Sequence, residues 1–123
     1  MIAMTFDDWR ERYIEYFNRT SHGRVTDFDL DDDLELFFRR DKGFMFYAVR
    51  GDVFHIDHTS TTDIAFMHEQ ARIMAKEARC SSMETETSRN PAAYARLTHS
   101  LLDLSKSGVK ADGYFYWCFT EEI

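Results

Sequence analysis

The run Phe44-Met45-Phe46-Tyr47-Ala48-Val49-Arg50-Gly51-Asp52-Val53-Phe54-His55-Ile56-Asp57-His58-Thr59 decides the fold. Its first seven residues are aromatic and β-branched, with few helix formers, so they read as a strand. Gly51-Asp52 supplies turn geometry. Val53 to Thr59 then alternates, with Phe54, Ile56 and His58 on one face and Val53, His55 and Asp57 on the other. Two such runs joined by a two-residue turn make a β-hairpin. After Thr62 the period changes. Met67, Ala71, Met74 and Ala78 form one stripe of a helix, with Asp63 or a neighbouring hydroxyl as its cap and Lys76 and Arg79 at its negative end.

Upstream, Thr5 opens a first helix, with Asp8 placed to complete a capping box. Phe6, Trp9, Tyr13 and Tyr16 or Phe17 are its buried stripe, and Ser21-His22-Gly23 ends it. Asp27, Asp29 and Asp31 match the first ligand positions of a calcium loop. The match fails at Asp32, where the turn needs glycine, and at Phe38, where a bidentate Glu is needed. A solvated loop, with room for a short helical turn, is the expectation. Leu34 to Arg40 reads as a strand.

Downstream, Ser82 to Thr87 alternates as a strand. Asn90-Pro91 starts a helix whose stripe is Tyr94, Leu97, Leu101 and Leu104, and Gly108 stops it. Tyr114 to Thr120 is apolar on both faces, which places it in mid-sheet or beneath two helices. The class expected is α+β: one domain spanning residues 1–123, with a mixed, mostly antiparallel sheet and helices on both faces.

A chain of 123 residues holds one core, and 44% hydrophobic content with eleven Phe argues for a packed fold. A net charge of −7 disfavours a nucleic-acid footprint, which needs clustered Lys and Arg. Cys80 and Cys118 are far apart and form no CxxC, so both are expected as reduced apolar residues. No apolar run is long enough to span a membrane. Asp7, Asp8, Glu11 and Glu15 exclude a signal peptide. A cytoplasmic protein is expected, or a virion one if phage-encoded.

The order of elements resembles the GNAT N-acetyltransferase fold. Tyr47 to His58 is similar to that family's third and fourth strands, with Ile56-Asp57-His58 closing the fourth. Ala75 to Cys80 resembles the end of its central helix, and Asn90-Pro91-Ala92-Ala93 the N-x-x-A that begins its last one. The resemblance covers Leu34 to Phe119. It implies acetyl coenzyme A in a gap between the fourth and fifth strands, its diphosphate on a glycine-containing loop at the central helix's N-terminus. Here Thr59-Ser60-Thr61-Thr62 stands in place of that loop, with no Gly and no Arg. The family's tyrosine acid position falls on Leu97, and its Gly-Phe on Leu101-Leu102.

Among titratable residues, Asp57 would orient His55 as a base, or the two would share a metal. His58 on the opposite face spoils a three-ligand site, so no metal is expected. Three functions follow. The leading one is a GNAT-like protein with a degenerate cofactor site and no cofactor, similar to compact phage-encoded GNAT-like proteins. It would act through a protein partner or self-association. The second is an acetyl-CoA-dependent N-acyltransferase. There the resemblance implies Thr61 and Thr62 at the diphosphate, Asn90 at the pantetheine arm, and His55 or Asp57 as base. The third is an acidic nucleic-acid mimic built on Asp27 to Glu35.

Overall fold

The computed structural model describes residues 4–21, 30–87, 101–109 and 115–123. Two helices and six strands follow in the order α1 (Phe6–Ser21), β1 (Glu35–Arg39), β2 (Gly43–Arg50), β3 (Val53–Thr61), α2 (Ile64–Glu77), β4 (Ser82–Thr87), β5 (Leu101–Val109) and β6 (Phe115–Glu122). The strands form one sheet in the order β1-β2-β3-β4-β6-β5. Neighbours are antiparallel except β3 and β4, which run parallel and are joined through α2. This is the mixed, mostly antiparallel α+β architecture that the sequence led us to expect.

Alternation along β2 assigns the two faces. Phe44 and Phe46 point to α1, where they pack with Trp9, Phe6, Tyr13 and Phe38. Met45 points the other way, to Phe54, Ile56, Met83 and the α2 stripe Met67, Ala71 and Ala75. Each large side chain buried this way contributes roughly 1.5–3 kcal/mol. The helices hold their places through specific ends. Thr5 and Asp8 exchange backbone-to-side-chain hydrogen bonds of 2.9 and 3.2 Å, a capping box at the start of α1. Trp9 Nε1 donates to the Arg40 carbonyl at 3.1 Å, which ties α1 to the β1–β2 turn. At Gly43, φ is +120° and a Cβ would collide with the Ser60 carbonyl. Glycine there lets the end of β3 lie close against β2.

Strand β6 lies between β4 and β5, and the consecutive residues Cys118 and Phe119 are both buried, so both of its faces are covered. Cys80 and Cys118 are free and buried. Among the described residues no helix is long and apolar enough to cross a membrane.

One element differs from expectation. Leu101, Leu104 and Gly108 do not finish a helix but belong to β5, paired antiparallel with β6 from Leu101–Thr120 to Val109–Phe115. The apolar β6 needs a ladder partner on its outer side, and that demand outweighs a helical spacing of only a few residues. The register shifts between Asp103 and Gly108, where Ser107 Oγ accepts from the Cys118 amide at 2.9 Å. Asn90, Pro91, Tyr94 and Leu97 lie outside the described residues, as do Asp27 and Asp29 of the acidic run. Asp31 and Asp33 of that run are clamped by Arg50 at 3.0 and 2.8 Å, at the end of the hairpin.

Candidate functional site

The site grows out of an irregularity in β3. Met45 pairs with Thr59 but Tyr47 pairs with Ile56, so Asp57 and His58 together oppose Phe46. This is a β-bulge, and one extra residue inverts the alternation beyond it. Before the bulge His55 faces α1; after it, His58 does so as well. The expectation that His58 lies on the opposite face from His55 and Asp57 is therefore corrected.

The bulge collects a line of polar groups beneath α1. The Tyr13 hydroxyl and His58 Nδ1 are 2.6 Å apart, with the two rings edge-to-face at 5.6 Å. His58 Nε2 lies 3.6 Å from Asp57 Oδ1, and the His58 amide donates to that oxygen at 2.9 Å. Asp57 Oδ2 is 3.2 Å from His55 Nε2, and His55 Nδ1 is 2.9 Å from Glu84 Oε1 on β4. His55 is 8% exposed. Burial alone would lower its pKa, but hydrogen bonds to Asp57 and Glu84 and the Asp57 charge outweigh that and hold it above the ordinary range. Asp57 is lowered: burial would raise it, but the His55 hydrogen bond and the charges of His58 and His55 prevail.

An imidazolium donating from both nitrogens has no lone pair to receive a proton. In that state His55 bridges β3 and β4 through its contacts to Asp57 and Glu84. Asp57 sits between two imidazoles.

The second part of the site is the junction of β3 and α2. β3 runs to Thr61, so only Thr62 and Asp63 separate it from the helix. Thr61 Oγ1 donates to the Lys42 carbonyl at 2.7 Å and accepts from the Asp63 amide at 3.0 Å. The Thr62 amide donates to the same carbonyl at 3.3 Å. Asp63 is the helix cap: its Oδ1 accepts from the Phe66 amide at 3.0 Å, and its Oδ2 pairs with Lys42 Nζ at 3.0 Å. These bonds to Lys42 and Phe66 hold its carboxyl below the usual range.

β3 and β4 are in register only from Val53–Ser82 to Ile56–Thr85. Beyond that point β3 has no partner on its β4 side among the described residues. On the α1 side of the junction lies a pocket of about 120 Å³, lined by Trp9, Arg12, Tyr13, Tyr16, Ser60, Thr61 and Thr62. Tyr13 belongs to both the pocket and the polar line.

Of the residues singled out in the sequence, His55 and Asp57 are in direct contact, and Thr61 and Thr62 stand together at the junction. Asn90 lies outside the described residues. Tyr13, Glu84 and Lys42 were not foreseen as site residues. Tyr13 reads locally as one more aromatic in the α1 stripe. Glu84 and Lys42 come from distant strands and turns, so nothing in their neighbourhoods marks them. Among the described residues no cluster of three or more His, Cys, Asp or Glu is arranged to hold a metal.

No protein-family model matches the chain. No curated protein matches it either. Solved structures do. A Bacillus subtilis acetyltransferase in complex with CoA is 9% identical, with a TM-score of 0.54, over 75% of this chain and 78% of that one. A protein of Agrobacterium tumefaciens assigned to the acetyltransferases is 14% identical, with a TM-score of 0.52, over 100% and 96% of the two chains. At such identities the likeness speaks for the fold alone, and it agrees with the strand order and the single parallel pair derived above: this chain has a GNAT-like fold.

Proposed function

We propose that the chain, as one domain over residues 1–123, is a binding component built on the GNAT-like fold and works through contact with a protein partner or a second copy of itself. The observation that carries this reading is Asp63. A diphosphate at a helix N-terminus needs bare amides and a positive end. Here the first turn of α2 already has its anion, the chain's own carboxylate, and Lys42 is committed to it. The amides of Thr62, Asp63, Phe66 and Met67 have internal acceptors, and so does the Thr61 hydroxyl. A second anion would meet the Asp63 charge at close range. The residues present do not make a diphosphate cradle, so no step is derived through coenzyme A.

Titration calorimetry with acetyl coenzyme A tests this. No heat is expected from the wild type at millimolar ligand. If the internal carboxylate is what excludes the cofactor, Asp63→Gly should bind at least tenfold more tightly than wild type. Micromolar binding by the unmodified chain would overturn the reading. A phage or virion setting is in keeping with a compact GNAT-like chain of this kind, and light scattering across a concentration series would separate self-association from a need for another partner.

An acyl-CoA-dependent N-acyltransferase is the second reading. It is favoured by the early end of β3–β4 pairing, where that fold places its cofactor gap, and by the neighbour solved with CoA. Under it Thr62 and the amides of Ile64 and Ala65 would meet the diphosphate. Asp57 would be the better base, since His55 is tied on both nitrogens.

A further inference from the structure

The pocket between α1 and the end of β3 carries a cation, Arg12. Arg12 lies over the Trp9 ring, 5.4 Å from its centroid, and its Nη1 is 3.7 Å from the Met4 sulfur. Among the described residues no carboxylate is within ion-pair distance of it, although the protein carries 22 Asp and Glu against 15 Lys and Arg. Two turns further on the arrangement repeats, with Arg19 over the Tyr16 ring at 5.6 Å. Stacking holds a guanidinium in one orientation, so less freedom is lost when it binds. Ser60 and Thr62 line the same pocket, and their hydroxyls can also donate. Tyr13 forms a fixed wall, pinned through its hydroxyl to His58.

We propose that this pocket binds a monocarboxylate on a short apolar stem, with Arg12 as anchor, the hydroxyls of Ser60 and Thr62 as further donors, and Trp9, Tyr13 and Tyr16 around the stem. A planar guanidinium matches a carboxylate with two parallel hydrogen bonds. A dianion such as a phosphate is disfavoured because Asp63 follows Thr62 directly and the net charge is −7. A pocket of about 120 Å³ has room for a side-chain-sized acid. If the binding-component reading holds, the acid is an Asp or Glu side chain, or a C-terminus, of the protein partner. The pocket's chemistry rests on that reading only for the source of the acid, and the coenzyme A titration above judges it separately.

The test uses the full chain and NMR titration with butyrate, its neutral isostere butyramide, and propylphosphonate. Butyrate should move the indole N–H of Trp9 and the amides of Tyr13, Thr61 and Thr62, with a dissociation constant on the order of 10 mM. Butyramide should bind at least fivefold more weakly, and propylphosphonate no better than butyrate. Arg12→Gln should weaken butyrate at least fivefold while keeping the wild-type amide spectrum away from the pocket. Blocked peptides carrying Glu or Gln, and peptides with free or amidated C-termini, then identify which carboxylate is preferred. Saturation by butyramide as readily as by butyrate, tighter binding of propylphosphonate, an unchanged titration in Arg12→Gln, or no shifts at all would overturn the proposal.

Discussion

The two faces of the sheet each bury a histidine beside carboxylates, and the two histidines respond in opposite directions. Under α1, His55 lies between Asp57 and Glu84 and its pKa goes up. Under α2, His68 lies 3.1 Å from Glu121 and 3.4 Å from the Arg72 guanidinium, and its pKa goes down. Burial comes first at both sites and acts downward at both. At His68 the Glu121 charge works against it, but Arg72 offsets part of that help and takes the better hydrogen bond to Glu121, at 2.6 Å. His68 is close to Glu121 Oε2 but not aligned with it, and its Nδ1 is buried with no partner. The lesson is that a nearby acid does not by itself charge a histidine. What decides is whether a competing cation already holds that acid.

The same contrast separates the faces energetically. The α2 face packs closely, with Met67 at 1% exposure and Ala71 and Ala75 at 0%, beside the Arg72–Glu121 pair. The α1 face combines aromatic packing with polar contacts. Met67→Ala should therefore cost the most, about 3 kcal/mol, through lost transfer energy and the cavity left behind. Tyr13→Phe keeps the ring against Phe44 and removes the bond to His58, so it should cost about 1 kcal/mol. Urea unfolding of the two variants checks the ranking. Equal losses would mean that the polar line, not the packing, holds α1 to the sheet.

The pH profile of stability sharpens the comparison further. The folded pKa of His55 is raised, so its contribution is complete below the unfolded value of 6.5 and is lost as pH rises through the folded value. The folded pKa of His68 is lowered, so its contribution is complete above 6.5 and is lost as pH falls through the folded value. Stability should therefore decline on both sides of pH 6.5, one limb for each face. His55→Gln should flatten the alkaline limb, and His68→Gln the histidine-dependent part of the acid limb. Denaturant midpoints at half-unit pH steps measure both. A swap of the two assignments would contradict the geometry of one site or the other.

Much of this fold was legible because its signals are local and repeat. The Phe44–Thr59 hairpin, the Met67–Ala78 stripe and the Thr5–Asp8 cap are each fixed by residues a few positions apart. Leu101 to Val109 was not legible in the same way. Its leucine spacing fits one helical turn after another, and only the far strand β6 makes it a ladder partner. The site was half legible. His55 and Asp57 share a face by simple alternation, whereas His58 joins them only because the bulge inserts a residue opposite Phe46. One hint was present in the sequence: the apolar alternation ends at Ile56, and neither His58 nor Ser60 continues it. The capping role of Asp63 was visible, but its partner Lys42 comes from a turn 21 residues away, and no local pattern announces that pair.

The smallest expected effect lies where α2 hands the chain to β4. Arg79 has φ of +62°, in the region where a side chain is crowded by its own backbone and glycine is not. The hydrogen bonds explain why the chain enters it. The Arg79 amide donates to Lys76 O at 3.0 Å and the Cys80 amide to Ala75 O at 2.9 Å, which is a Schellman closure with arginine where glycine is usual. Cys80 is thereby turned into the α2-face core. Arg79→Gly relieves the crowding at a smaller cost in unfolded-chain entropy, so it should stabilise by about 0.5 kcal/mol. Because neither histidine is touched, both limbs of the pH profile should rise together with their slopes unchanged. A gain confined to one limb would mean that the α2 terminus communicates with one buried histidine, and the two faces would then not be independent.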